Sequence, residues 1–345
     1  MKNVSASLIC LLVVLVGLPA SAQTIRRVNN TGISGTNIYA DLPDAYTAAA
    51  VGDIIQVEPS GTTYTGVIVN KNVTIVGPGY FLDPVSQNAG LQANPLTATV
   101  SRIAVQAGGA SSYIAGLTVG EYVVEASNVT VQRCNITLTL YPNATGTDGT
   151  TAQGTTGVII KQNYISGAFN SFRGSASDNM LIANNVLNGN DFRLPVNYNG
   201  GFFSNVILTP NYFLTLSNFF VTNNYFGSSN GNYSLQGNGN TLNNNISSQT
   251  DLPTSNGNQT LVPQSSVFVL SPGSTAFDGW YQLKAGTNPA RGNGAGGTDV
   301  GIFSTYSTSA PYKLGGVPAI PAIYQQTQTI TGNSLNGTLS IRANN

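Results

Sequence analysis

The sequence predicts an all-β chain, folded as a right-handed parallel β-helix, and three observations lead there. Short β-type runs closed by asparagine recur through its middle. Asparagine and glycine are unusually abundant, at 40 and 39 residues. Apolar residues do not recur at helical spacing in that region, so stacked strands are the economical reading. Asparagine is unfavourable in helix interiors because its amide competes for backbone partners. A 41 % hydrophobic content still supplies a core to bury.

The runs align as Asn128–Ile136, Gly157–Ile165, Asn179–Leu187, Asn218–Phe226 and the weaker Asn240–Ile246. Each has apolar residues, a polar two-residue step, an Asn or Cys seat, and a second short strand. From Cys134 through Asn163, Asn185 and Asn224 to Asn245 the seat advances 29, 22, 39 and 21 residues. The shorter steps suit one coil of about three short strands, and the longest must carry an extra loop or a further coil. Such units bury their apolar faces only by stacking, and parallel crossovers are right-handed in nearly all sheets. Strands of neighbouring coils sit roughly 4.8 Å apart. The amides of Asn163, Asn185, Asn224 and Asn245 can therefore bond to one another inside a turn, with small Cys134 capping the ladder.

The N-terminal part prepares this stack. Asp41 is a good N-cap and Pro43 fits a first helical turn, so Asp41–Ala50 is expected to be a short capping helix. Strands are expected at Ile54–Val57, Val67–Val69 and Val73–Val76, before a break at Gly77–Gly79. The cap occupies about residues 39–52, the ladder coils about 123–250 and a closing coil about 267–304, within a β-helix domain over 23–304. Before it, a single charge at Lys2, an apolar run from Leu8 to Leu18 and the small-residue site Ala20–Ala22 read as a signal peptide over residues 1–22. That run is shorter than the ~20 residues of a spanning helix, and no later segment is long and apolar enough to cross a membrane. After Phe303, Tyr306–Pro321 reads as a linker and Thr327–Ala343 as one or two strands of a C-terminal tail. Packing of that tail along the helix is the favoured expectation over a secretion or attachment signal.

These segments carry a resemblance. Ala40–Glu58 and Asn70–Gly79 resemble the opening of pectate-lyase-like right-handed β-helix proteins. Ser271–Gly273, Asn288–Gly294 and Thr298–Phe303 resemble the closing segment of their secreted bacterial members. The likeness spans roughly residues 39 to 304. It implies the fold and an extracellular setting, in a superfamily that includes lyases, glycosidases and adhesins, so fold alone assigns no activity.

Composition narrows the chemistry. Charged residues make up 8 % of the chain and balance to zero, so the basic face of a nucleic-acid binder is not expected. Histidine is absent, which removes Ser-His-Asp triads, Cys-His pairs and His-ligated metals. Cys134 is the only cysteine beyond the leader, leaving no intrachain disulfide or Cys-type zinc site.

Lyases of the superfamily bind calcium through several carboxylates and use Arg or Lys as base, while glycosidases use paired aspartates. Neither pattern is matched: the central coils hold only Asp148, Asp178 and Asp191, with no Asp-Asp or Asp-x-Asp. No cofactor is expected, and calcium has no motif. The candidate charged cluster is Arg173, Asp178, Asp191 and Arg193, read more readily as surface salt bridges. Lys161, Tyr198 and Tyr212 are the candidate ligand contacts, because tyrosine faces with polar neighbours suit saccharide rings. Of Phe219 and Phe220, consecutive on a strand, one must face inward and one outward. Gly292–Gly297 formally matches G-x-G-x-x-G, but no helix-forming segment follows, so it reads as a turn in the closing coil. The leading expectation is a secreted non-catalytic protein that binds a polysaccharide, a cell-surface glycan or another surface ligand. The alternatives are a divergent polysaccharide lyase or glycoside hydrolase, and an architectural spacer.

Overall fold

Eleven parallel strands stack into one sheet and thirteen into another in the computed structural model. It describes residues 23–83, 88, 91–142, 154–170, 177–189, 191–194, 199–208, 214–227, 235–270, 277–307 and 311–343. The first sheet begins with Ile38–Tyr39 and Ile25–Val28. It then takes one strand from each coil, from Ile54–Val57 through Ile159–Lys161 and Leu181–Ala183 to Thr241–Asn243. Each coil then turns into the second sheet, and the chain forms a parallel β-helix.

Alternation sorts each strand. In the first sheet the inward column Ile55, Ile75, Ile114, Val131, Ile160, Ile182, Phe202 and Val221 is fully buried. Phe169, Phe192, Phe202 and Phe219 continue the core as an edge-to-face chain, with ring centroids 4.7, 5.6 and 6.4 Å apart. The second sheet forks after Asn135–Tyr141. Tyr164–Ile165 and its successors form one limb, and Ala168–Asn170, Phe192–Arg193, Leu214–Thr215 and Leu235–Gln236 form the other. Glycine permits the crowding at this fork, since a Cβ on Gly189 would lie 1.7 Å from the Gly167 carbonyl oxygen. Below the first coil, helix Leu42–Ala48 is N-capped by Asp41, whose carboxylate accepts from the Leu42 N–H. Its Leu42 and Ala45 close the bottom of the core.

The turn from the first sheet to the second carries a polar ladder. Its rungs are Asn163, Asn185, Asn205, Asn224, Asn245 and Asn258, and Cys134 stands at the head. Each Nδ2 of the first five donates to the next rung's Oδ1 over 2.9–3.1 Å. It also donates to an inward-strand carbonyl of the preceding coil, as Asn205 does to Ile182. Each Oδ1 in turn accepts the main-chain N–H of the preceding seat. Asn205 fills the 39-residue step, which is a further coil, and Asn258 extends the ladder at its end.

The residue before each of the first six seats has positive φ: Arg133, Gln162, Asn184, Ser204, Asn223 and Asn244. Four of these side chains hold a strap that runs back along the stack. Asn244 donates to the Asn293 carbonyl and Asn223 to Thr298 Oγ1. Asn184 donates to the carbonyls of Ile302 and Ser304, and Arg133 to that of Val317. The strap's Phe268, Tyr281, Val300, Ile302 and Tyr312 bury the outward side of the second sheet's first limb, at Tyr164, Val186, Val206, Tyr225 and Ile246.

Two sequence expectations change here. Residues 267–304 do not read as a closing coil: their described residues add no strand to either long sheet, and their apolar side chains cover the stack's flank. Residues 306–321 are not a free linker, since Tyr312 and Val317 are buried and continue the strap to the Tyr80 region. The tail beyond is one antiparallel hairpin, Pro321–Thr331 with Ser334–Ala343. Its base touches the body, where the Ala93 N–H donates to Ile323 O and Arg342 donates to Leu91 O.

Where strap and body meet, Asp278 is fully buried, accepting from Asn88 Nδ2 at 2.8 Å and from the Gly315 N–H at 2.6 Å. Tyr80 and Tyr312 share a hydroxyl–hydroxyl bond beside it. Burial raises the Asp278 pKa above its ordinary value, and these hydrogen bonds offset part of the rise.

Two outcomes follow for stability. Asn205→Ala strands the Asn185 N–H and one Asn185 amide proton inside the turn, costing about 2–4 kcal/mol in urea denaturation. Asn258→Ala, at the terminal rung, costs distinctly less. A carboxyl raised on folding contributes stability that is complete below its unfolded pKa and lost as pH rises through its folded pKa. Wild type should therefore lose stability relative to Asp278→Asn as pH climbs from about 4, measured by urea midpoints across pH.

Candidate functional site

The strap covers one flank of the solenoid and leaves part of the outward face of the first sheet accessible, with Gln132, Ala183 and Thr222 buried beside it. Two outward columns run up that face. One passes through Tyr113, Thr130, Ile159, Leu181, Gly201 and Phe220, and the other through Gln132, Lys161, Ala183, Phe203 and Thr222. A shallow groove of about 580 Å³ opens near its upper end. It is lined by Asn179, Leu181, Asn199, Gly201, Phe203, Asn218 and Phe220, among others.

Local sequence builds this groove in three ways. Phe219–Thr222 places Phe219 in the core and Phe220 outward with 61 % of its surface exposed, the split that strand alternation requires. Gly201 lacks a side chain, and the Phe203 ring lies over it: a Cβ there would come within 2.1 Å of that ring. The Phe203 ring is braced edge-on by Tyr306, with centroids 5.6 Å apart. Along the lip, Asn179, Asn199 and Asn218 hold positive φ at the corner leading into the sheet, a conformation asparagine tolerates better than most residues. Asn199 Nδ2 donates to Asp178 Oδ1 at 3.3 Å, so one carboxylate borders the lip. The groove thus offers an apolar floor with two rings and a rim of amides, in an open cleft that an extended ligand can cross.

The sequence-derived candidates are distributed differently. Lys161 stands on the same face in the Phe203 column, two coils away, or roughly 10 Å at the coil spacing. Burial, followed by the nearby Arg133 charge, holds its pKa below the usual lysine range. Asp178 belongs to a separate two-stranded pairing of Ser177–Asp178 with Thr155–Thr156. Asp191 and Arg193 flank inward Phe192 on the second sheet and form an ion pair at 2.7 Å, with Asn170 donating to the other Asp191 oxygen. Asp178 and the Asp191–Arg193 pair therefore stand on different sheets. A partly exposed pair of this kind contributes about 0–1 kcal/mol. Arg173, Tyr198 and Tyr212 lie outside the described residues. Burial pushes the Cys134 thiol up to about 12, so it is protonated at neutral pH and is no nucleophile. Among the described residues no group of three or more carboxylates or thiols is arranged to hold a metal ion.

Phe203, Phe220 and the Asn179–Asn199–Asn218 row were missed as candidates. Their available signal was regular spacing by about one coil. A larger groove of about 700 Å³ sits at the base of the hairpin, but prolines, Ile320 and Ile323 dominate it, and its Arg27 and Glu58 are paired with each other. No ring lines it. No protein-family model matches the chain, and no curated protein or solved structure matches it either.

Proposed function

We propose that this chain is an exported, pectate-lyase-like β-helix that binds carbohydrate without turning it over, on the outward face of the first sheet. The observation that carries the reading is the exposed Phe220 ring beside Phe203 under a rim of three asparagines. Sugar rings present apolar C–H faces to aromatic side chains and hydroxyls to amides, and the groove supplies both. Placement of Asp178 and Asp191 on different sheets supports binding over hydrolysis, since glycoside hydrolysis uses two carboxyl groups within about 10 Å across one bond.

A glycan array with the full chain, followed by calorimetry on the strongest hit, tests the assignment. Phe220→Ala should weaken binding by about tenfold or more while leaving the thermal midpoint unchanged, because the ring is already exposed. Absence of binding to any glycan would favour an architectural spacer. Release of reducing ends or unsaturated products, abolished by Asp178→Ala or Asp191→Ala, would replace this reading with a divergent lyase or hydrolase.

A further inference from the structure

The C-terminal hairpin is amphipathic in a way its register makes explicit. Ile330 pairs with Leu335, Gln328 with Gly337, Gln326 with Leu339 and Ile323 with Ile341. Directly paired residues share a face, so Ile323, Ile330, Leu335, Leu339 and Ile341 all project from one side. An irregularity between Ile323 and Gln325 places the extra residue at Tyr324 and keeps Ile323 on that side. The opposite side carries Gln325, Thr327, Thr329, Asn336, Thr338, Ser340 and the ribbon's single charge, Arg342. The five aliphatic residues are 41, 79, 66, 56 and 61 % exposed in chain order. A lone two-stranded ribbon is marginally stable in water without a covered apolar face.

We infer that this face is a homodimer contact, covered by the same face of a second copy. Three features select a copy of the chain as the occupant. The face carries no charge, so self-pairing buries none. Its apolar residues fall into two clusters, Ile323–Ile341–Leu339 toward the base and Ile330–Leu335 at the tip, with Gln326, Gln328 and Gly337 between. A two-fold axis across the ribbon lays each tip on the other copy's base, sets Leu339 over Gly337 of the second copy and brings the glutamine amides together. This is the self-complementarity that an isologous contact requires. At roughly 100 Å² of accessible surface each, five aliphatic side chains present about 500 Å², beyond the isolated apolar residues common on monomers. Two such faces bury about 1,000 Å², the lower end of a specific interface, so the dimer is reversible and concentration-dependent.

Sedimentation velocity of the full chain across the micromolar range tests this directly. The expected result is a monomer–dimer equilibrium whose dissociation constant rises about tenfold or more in Leu335→Asp and is unchanged in Thr338→Asp on the polar face. Both substituted side chains project from the exposed ribbon, and a protease-resistance measurement on each monomer checks that the hairpin persists. A chain that stays monomeric throughout the range, or a dimer indifferent to Leu335→Asp, would overturn the inference. So would a monomer that binds neutral phosphatidylcholine vesicles through this face, which would assign it to a lipid surface.

Discussion

Closing a turn that has no water on either side is the constraint on which the rest of this molecule depends. At the bend between the two long sheets the backbone is enclosed by the core within and by the strap without, so its N–H and carbonyl groups must find partners inside the protein. One asparagine per coil meets that demand from Asn163 to Asn245. From Asn185 onward its oxygen accepts a main-chain and a side-chain N–H, while in every one of these rungs the two amide protons go to a neighbouring amide and a strand carbonyl. All four capacities are used from Asn185 to Asn245, and each bond fixes the spacing of one coil on the next. A single rung therefore sets the register for strands on both sides of the bend.

The same bend generates the outer architecture. Chain reversal into the second sheet requires positive φ at the residue before each rung, which turns that side chain away from the core. Asn184, Asn223, Asn244 and Arg133 use this position to bind the strap, so inner and outer polar rows belong to one turn. The strap then buries Tyr164 and Tyr225 on the second sheet's first limb. Coverage of one flank leaves part of the first sheet's outward face exposed, and the aromatic groove lies there.

Much of this fold was legible because a ladder needs identical residues at coil spacing, and the seats from Cys134 to Asn245 display it. The Asn205 rung was hidden by its context: Gly200–Phe203 opens with two glycines, so it scores poorly as a strand even though Ser204 and Asn205 repeat the polar step. The strap was misread as a coil because a segment covering the outside of a solenoid has the same short apolar runs and glycine turns as one inside it. Local composition carries no information on which side of the sheet such a segment packs. Cys134 was easier, since a small apolar side chain heading a polar row has few other uses.

The candidate site was least legible because rarity of charge drew attention to residues near one another in sequence. In a solenoid that intuition fails. Asp178 and Asp191 are separated by part of one coil, so the chain carries them onto different sheets. Asn179, Asn199 and Asn218 recur at 20 and 19 residues, about one coil apart, and so converge on one lip. Gly201 and Phe220 meet for the same reason, as direct neighbours in adjacent strands. A functional surface on this fold is assembled from residues one period apart, and a charge-poor chain can build it from amides and rings. Asp178 and Asp191 are thereby divided between sheets, while uncharged side chains at the repeat interval supply a floor-and-rim groove with exposed aromatic surface.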